Sequence, residues 1–453
     1  MKNIVYKVFT AFSGYDSQMM ALGLLSTLYS WLKFELVGWS EIEPSAIVSH
    51  NAAFPEYADC NYGDISKIDW SMVPDFKVFT YSFPCQSVSR SGKSEGIRKG
   101  SGTTSSLLWE CERAIIAKRP KFCVMENVKA LITNQKTAGA DSTMCADSTM
   151  CEDFMMWEQT MCRLGYKNFL KVIDAVDFGV PQHRERTIMV SVRIDEDDLD
   201  PQYEFPPIKN LKPKAIDSVL EDTVDENNYL SDDDVKSCIA TLASSHKNVP
   251  CVEMPIVDED TIKHSHPVKK IITPTTKNGV ATTLMASSSN KSNTFKYFIS
   301  TGNRPKTGVI EVWECNESLE HANMDCVALS SEYNNKMKRG IYNQSRDEIL
   351  TTVTNLKENQ FIRLRGLTAT ECLSLMSVPS IYINRMLNPM IELQKLGYSE
   401  DEILSMMTLP IECKKTGIIK NKFIKTNDNA LRKMAGNSIV VDVLYHVFKS
   451  LFH

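Results

Sequence analysis

The first 195 residues switch repeatedly between two hydrophobic periods, and few architectures accept such a chain. "NIVYKVFTAF" is a strand-like run ending in a turn at Ser13 and Gly14, and "SQMMALGLLSTLYSWL" follows with apolar residues at helical spacing. "FELVGWS" reads as a second strand, and Pro44 opens a second helix. "FKVFTYS", "SSLLWECERAIIAK" and "KFCVMENV" continue as strand, helix and strand. "DFMMWEQTMCRLG" is a helix with Gly165 as its C-terminal cap, and "NFLKVIDAV" and "ERTIMVSVR" complete the series as strands. The pattern predicts an α/β fold: a doubly wound, mostly parallel sheet with helices on both faces. Such sheets bind ligands beyond the carboxyl ends of their strands. Gly14, Glu41, Cys85 and Glu126 all fall just after expected strands, on that rim.

Farther along, the pattern changes. Residues 217–234 are strongly acidic, whereas residues 263–310 hold Lys263, Lys269, Lys270, Lys277, Lys291, Lys296, Arg304 and Lys306 and no Asp or Glu. The second stretch is rich in Ser, Thr, Asn and Gly, with short strand-like pieces ("FKYFIS", "GVIEVWE"), and reads as a smaller β-rich or irregular domain. The last hundred residues turn helical again ("LTATECLSLMSV", "SEDEILSMMTL") and end in "MAGNSIVVDVLYHVFKSLF", a Gly-Asn turn running into a helix. "ADSTMCADSTMC" (residues 140–151) is a tandem hexapeptide with too few copies for a β-helix, and reads as a surface-loop duplication with no assigned function.

A net charge of −5 does not mark the whole chain as a nucleic-acid binder, so any basic surface must be local. The 13 cysteines are odd in number and form no CxxC pair, and His264 and His266 have no cysteine close by. No metal site is therefore expected, and the compartment reads as reducing. The amino terminus has no secretory apolar core and no run approaches transmembrane length, so the expectation is a cytoplasmic protein with no membrane partner.

Four groups of residues carry chemical interest. Cys85 follows Pro84 at a strand end, with Arg90, Lys93, Arg98 and Lys99 close behind. Nearby cations favour the thiolate, which is the nucleophilic form; a half-buried structural thiol is the alternative. Glu126 ends a run apolar enough to be a buried strand, where desolvation would raise its pKa and make it a proton donor, unless it merely caps or pairs there. In "VPQHRERTIMV", Gln182, Arg184 and Arg186 alternate, which puts the two arginines on one face suited to anions or carbonyls, although surface arginines are common before a strand. A glycine turn after strand one and acids after later strands (Gly14, Glu41, Asp64) form a nucleoside-binding pattern, too poor in glycine for GxGxxG.

Taken in order, "FSGYDSQ", "SEIEPSA", "GDI", "FPCQSVSRSGKSEG", "MENVKAL", "GVPQHRERTIMV", "RLRGLTATECLSLMSV" and "AGNSIVVDV" resemble the cytosine-C5 DNA methyltransferases across more than half the chain. The Pro-Cys-Gln, Glu-Asn-Val and Gln-x-Arg-x-Arg blocks are the discriminating ones. The resemblance implies a Rossmann-like domain that uses S-adenosyl-L-methionine and releases S-adenosyl-L-homocysteine, over residues 1–200. It further implies a linker and target-recognition domain over residues 201–355 and a C-terminal helical segment over residues 356–453 that returns to the first domain. Cys85 would attack C6 of a cytosine flipped from double-stranded DNA, and Glu126 would hold and protonate N3. Arg184 would contact the flipped base or neighbouring backbone, and Asn127 and Gln86 would complete the catalytic site. Phe12, Ser13, Gly14, Glu41, Ile42, Asp64, Ile65, Pro84, Asn437 and Ser438 would bind the cofactor. Ser87, Arg90, Lys93 and Arg98, in a Gly/Ser-rich basic lid, would meet DNA together with Gln182, Arg186, Lys291, Lys296 and Arg304.

The chain departs from the family pattern at Asp16 and Ser17, where further glycines are usual. A bacterial or phage-encoded monomer is the expected form, either solitary or partnered by a restriction endonuclease acting on the same site. The competing readings are a tRNA cytosine methyltransferase on the same scaffold, which the long region before "RLRGLT" disfavours, and a catalytically inactive DNA-binding relative, which the intact Cys85, Glu126 and Arg184 disfavour. A nicotinamide-dependent oxidoreductase fits less well, because the glycine fingerprint is missing.

Overall fold

The computed structural model describes residues 3–84, 97, 99–133, 152–208, 216–230, 251–255, 262, 265–273, 308–315, 324–328, 355–356, 359–412 and 417–453. Its centre is a six-stranded sheet: β1 (Ile4–Ala11), β2 (Leu32–Ser40), β3 (Val78–Tyr81), β4 (Phe122–Val128), β5 (Tyr166–Asp174) and β6 (Glu185–Arg193), in the order β2-β1-β3-β4-β6-β5. The β1–β2, β1–β3 and β3–β4 pairs are parallel. β6 runs against both of its neighbours, so it alone opposes the other strands. Between β5 and β6 lies only a short connection containing the helical turn Ala175–Phe178 and Gly179. A parallel crossover needs a dozen or more residues, so this length forces an antiparallel return.

Both faces of the sheet are covered. Along β1, β3 and β4, Val8, Val78 and Val124 enter one core, while their neighbours Phe9, Phe79, Cys123 and Met125 enter the other. This period of two is what a doubly buried sheet requires. Helix α1 (Ser17–Leu28) and the last helix, Val441–Phe452, contribute to the first core. Helix α3 (Leu108–Lys118) and the helix Glu152–Arg163 fill the second. Helix α2 (Pro44–Ala53) starts at Pro44, as its sequence predicts. From β1 the chain steps out to β2 and then returns across β1 to β3, so the strand order reverses between β1 and β3. A crevice at that switch point is the natural ligand site of an open α/β sheet.

A smaller, antiparallel region follows. β7 (Cys251–Pro255) pairs with β10 (Met324–Ala328), while β8 (Ser265–Thr273), β9 (Gly308–Cys315) and β11 (Gln360–Gly366) form a three-stranded sheet in the order β11-β9-β8. β11 lies beyond residue 355, so the small sheet also draws on the segment expected to be helical. "FKYFIS" and the hexapeptide duplication lie outside the described residues. The expected Gly-Asn turn near the C-terminus is absent: Gly436 and Asn437 are the last residues of a helix, Asp428–Asn437, capped at its start by the Asn427 side chain. Neither of the two adopts a positive φ, so the helix runs through them, and Ser438 to Val440 link it to the final helix. Among the described residues no helix is long and apolar enough to cross a membrane.

Candidate active site

A cavity of about 570 Å³ opens at the switch point, and its two ends differ in chemistry. At one end, β1 stops at Ala11 and the backbone turns sharply, with Phe12 at φ 56°, Gly14 at φ 58° and Asp16 at φ 65°. Left-handed backbone costs a non-glycine residue energy, and such strain gathers at functional sites. Gly14 N donates to Glu41 Oε2 at 3.0 Å, and Glu41 Oε1 accepts from the amides of Ile42 and Glu43, both at 2.8 Å. Three amides thus hold this carboxylate in place on the cavity wall beside Phe12, Ser13 and Ile42. The C-terminal segment closes the same end: Ser438 Oγ lies 2.7 Å from Ser17 Oγ, and Asn437 stands exposed at the lip. Tyr15 also lines this wall, and burial pushes its phenol up to about 12, which keeps it neutral.

At the other end, Glu126 sits inside β4 rather than beyond it, almost fully buried. Its Oε1 lies 3.1 Å from Arg186 Nε, and its Oε2 accepts the Ser82 hydroxyl at 2.6 Å. The antiparallel register brings this pair together, because Arg186 stands opposite Val128, two residues on from Glu126. The approach to Cys85 is fixed on both sides. Asn127 Nδ2 donates to Phe83 O at 3.0 Å, and Ser105 Oγ donates to Pro84 O at 2.7 Å. Cys85, Gln86, Ser87, Arg90, Lys93 and Arg98 lie outside the described residues, as do Lys291, Lys296 and Arg304. Burial raises the thiols of Cys111, Cys123 and Cys372, which suits them to core packing rather than attack.

Several expected sites are placed elsewhere. Arg184 does not reach the Glu126 end of the cavity: it is 1% exposed, and its Nη2 donates to Gly436 O at 2.9 Å and Ser438 O at 2.6 Å. Its guanidinium satisfies carbonyls at the end of a helix, and Arg186, expected to meet DNA, is the arginine that reaches Glu126. Gln182 is fully buried, with Nε2 donating to Leu375 O, so it offers no surface to DNA. Asp64 and Ile65 are not among the residues lining the cavity. Asp64 instead caps a short turn through the Ser66 amide and hydroxyl, and Ile65 is buried in the second core. Sequence reasoning missed Ser82 and Ser105, although each lies within a segment it read as a strand or helix. It also missed Lys433, whose presence on the cavity wall follows from the C-terminal helix.

Residues 6–397 match the family described as C-5 cytosine-specific DNA methylase. The type II methyltransferase M2.ScrFI of Lactococcus lactis subsp. cremoris is 32% identical over an alignment of 280 residues that covers 51% of this chain and 71% of the relative. The orphan methyltransferase M.SssI of Spiroplasma monobiae is 34% identical over 188 residues, or 41% of this chain and 43% of the relative. Among solved structures, the Entamoeba histolytica methyltransferase EhMeth matches with a TM-score of 0.54 at 13% identity, covering 100% of this chain and 98% of its own. A mutant of Spodoptera frugiperda DNMT2 gives 0.51 at 14% identity, with 99% and 100% covered. These structural matches speak for the fold, and the family match, spanning both ends of the cavity from Phe12 to Arg186, speaks for the chemistry. The chain belongs to the C-5 cytosine-specific DNA methylases.

Proposed function

We propose that this protein transfers a methyl group from S-adenosyl-L-methionine to C5 of a specific cytosine flipped out of double-stranded DNA, leaving S-adenosyl-L-homocysteine. The observation that carries the reading is the Glu126–Arg186 pair at one end of a cavity whose other end holds Gly14 and Glu41. The cofactor end fits its ligand: a fixed carboxylate suits sugar hydroxyls, and Phe12 and Ile42 supply apolar surface for a flat base. When bound, S-adenosyl-L-methionine supplies an electrophilic methyl group.

The residues of the chain do the rest. Cys85 adds its sulfur to C6 of cytosine, while Glu126 supports the proton at N3, so the ring becomes electron-rich at C5. After C5 gains its methyl, a base removes the C5 proton, the C6–S bond breaks and Cys85 is regenerated. Ser82 and Arg186 hold the Glu126 carboxyl at a fixed angle throughout, which is pre-organisation rather than new binding. Arg184 acts at one remove, by anchoring the segment that carries Asn437 and Ser438.

The small antiparallel sheet and the acid-free residues 263–310, with Lys269 and Lys270 on β8, form the target-recognition region. Lysines there supply salt-dependent phosphate contacts, and polar side chains read base edges. The curated relatives include type II and orphan methyltransferases, so the biological role is site marking, with or without a cognate endonuclease.

Bisulfite sequencing of DNA incubated with the protein and S-adenosyl-L-methionine should reveal protected cytosines within one short recurring sequence. DNA that stays fully convertible would overturn the reading. Glu126→Gln should lower turnover at least about a hundredfold, because it removes the acid while keeping the shape. Affinity for S-adenosyl-L-homocysteine should stay within about twofold of wild type, since Glu126 lies at the far end of the cavity. A large loss of that affinity instead would move Glu126 to the cofactor's side of the site.

A further inference from the structure

The catalytic account makes no use of Asp16, yet its carboxylate is the most heavily committed group in the turn after β1. Asp16 is fully buried and left-handed, at φ 65° and ψ 59°. Its Oδ1 accepts from Met19 N at 3.0 Å, which caps α1, and its Oδ2 accepts from Thr10 Oγ1 at 2.8 Å. The same Oδ2 lies 3.3 Å from Nε2 of His50, a fully buried residue of α2. The His50 ring stacks on Trp39 with centroids 3.7 Å apart, and its Nδ1 is buried with no hydrogen-bond partner. Trp39 is fixed in turn through Nε1 to Tyr57 O at 2.9 Å.

A glycine would reach the same backbone angles at no steric cost. What glycine cannot do is join the turn to α2. The turn contributes Phe12, Ser13 and Gly14 to the cavity, and the start of α2 contributes Ser45 and Ala46. Burying a carboxylate and an imidazole is expensive unless each satisfies the other, so the pair holds its two elements in one arrangement.

We propose that Asp16 and His50 are positioning residues for the methyl donor, locking the turn after β1 to α2 so that the donor half of the cavity is preformed. The inference rests on the reading of that half as the S-adenosyl-L-methionine site. Preformed walls lower the ordering cost of binding, so the effect belongs to donor affinity and not to the chemical step.

The test is titration calorimetry of S-adenosyl-L-homocysteine into the full chain, with steady-state methylation and DNA binding measured in parallel. Asp16→Gly keeps the backbone conformation and removes every side-chain bond, so its affinity should fall roughly tenfold to a hundredfold. The KM for S-adenosyl-L-methionine should rise in step, while kcat at saturating donor and DNA affinity stay within about twofold. Asp16→Asn should recover most of the affinity, because an amide still tolerates the left-handed turn, still accepts from Met19 N and can hydrogen-bond to Thr10 and His50. His50→Phe keeps the stack on Trp39 but not the bond to Asp16, and should repeat the Asp16→Gly loss in milder form.

Wild-type affinity in both Asp16→Gly and His50→Phe would overturn the proposal. So would losses shared equally by donor affinity, DNA affinity and kcat. If Asp16→Gly does not fold, His50→Phe decides by the same criterion. A wild-type chain that binds no S-adenosyl-L-homocysteine would remove the functional reading itself, a result separate from any difference among the variants.

Discussion

Cys85→Ser is expected to abolish turnover, by roughly 10⁴- to 10⁶-fold, while leaving DNA affinity within about twofold of wild type. A serine hydroxyl at neutral pH is almost wholly protonated, and its alkoxide is far harder to generate than a thiolate. The substitution changes one atom, and the backbone leading to it is held independently, through Asn127 to Phe83 O and through Ser105 to Pro84 O. Loss of activity would therefore report chemistry and not a displaced strand end. The direct readout is covalent trapping. Duplex DNA with 5-fluorocytosine in the recognised site carries fluorine where the C5 proton would leave, so in the presence of S-adenosyl-L-methionine the C6–S bond cannot break and wild-type protein should stay attached through denaturing electrophoresis. Cys85→Ser should not. Substantial turnover by the serine variant, or trapping that persists in it, would remove the covalent mechanism.

The sheet was legible wherever hydrophobic period and punctuation agreed. β1, β2 and β4 are predominantly apolar runs that become buried toward their carboxyl ends or throughout, α2 starts at Pro44, and Gly165 takes the positive φ expected after a helix. Strand direction was less legible. The signal for the reversal of β6 lay in the shortness of the stretch between Asp174 and Glu185, a length that can carry a turn but no crossover helix. At the site, Gly14, Glu41 and Glu126, which line one cavity, were singled out by sequence because each follows or ends an apolar run. The assignment of the two arginines was not available locally. Alternation says that Arg184 and Arg186 share a direction, but the carbonyls that capture Arg184 belong to Gly436 and Ser438, 252 and 254 residues away. The same holds for Gln182, whose partner Leu375 O lies 193 residues on. Long-range partners decide which of several similar polar side chains stays at the surface, and a single sequence does not carry that information.

The largest expected loss of stability lies outside the cavity, at Arg365. This residue of β11 is fully buried between two carboxylates. Its Nε donates to Glu311 Oε1 at 2.7 Å, and Nη1 and Nη2 donate to Glu371 Oε2 and Oε1, both at 2.8 Å. Glu311 also accepts from the Tyr229 hydroxyl and Trp313 Nε1, while Glu371 closes a capping box with Thr368 at the start of the helix Ala369–Leu375. The network therefore ties the small sheet to the helix whose last carbonyl takes Gln182. Arg365→Met keeps the length but strands two buried acids without a counter-charge, and should destabilise the fold by about 3–5 kcal/mol. Arg365→Lys should recover little of this, since one ammonium cannot reproduce a forked contact to Glu371 while also reaching Glu311. Because the penalty comes from the stranded carboxylates, adding Glu311→Gln and Glu371→Gln to Arg365→Met should restore a large part of the loss, a non-additivity that a simple packing defect would not show. Urea unfolding of wild type, Arg365→Met, Arg365→Lys, Glu311→Gln/Glu371→Gln and the triple variant measures it. A deficit below about 1 kcal/mol for Arg365→Met, or strictly additive effects, would mean that the arginine is not what holds the small sheet to the helix Ala369–Leu375.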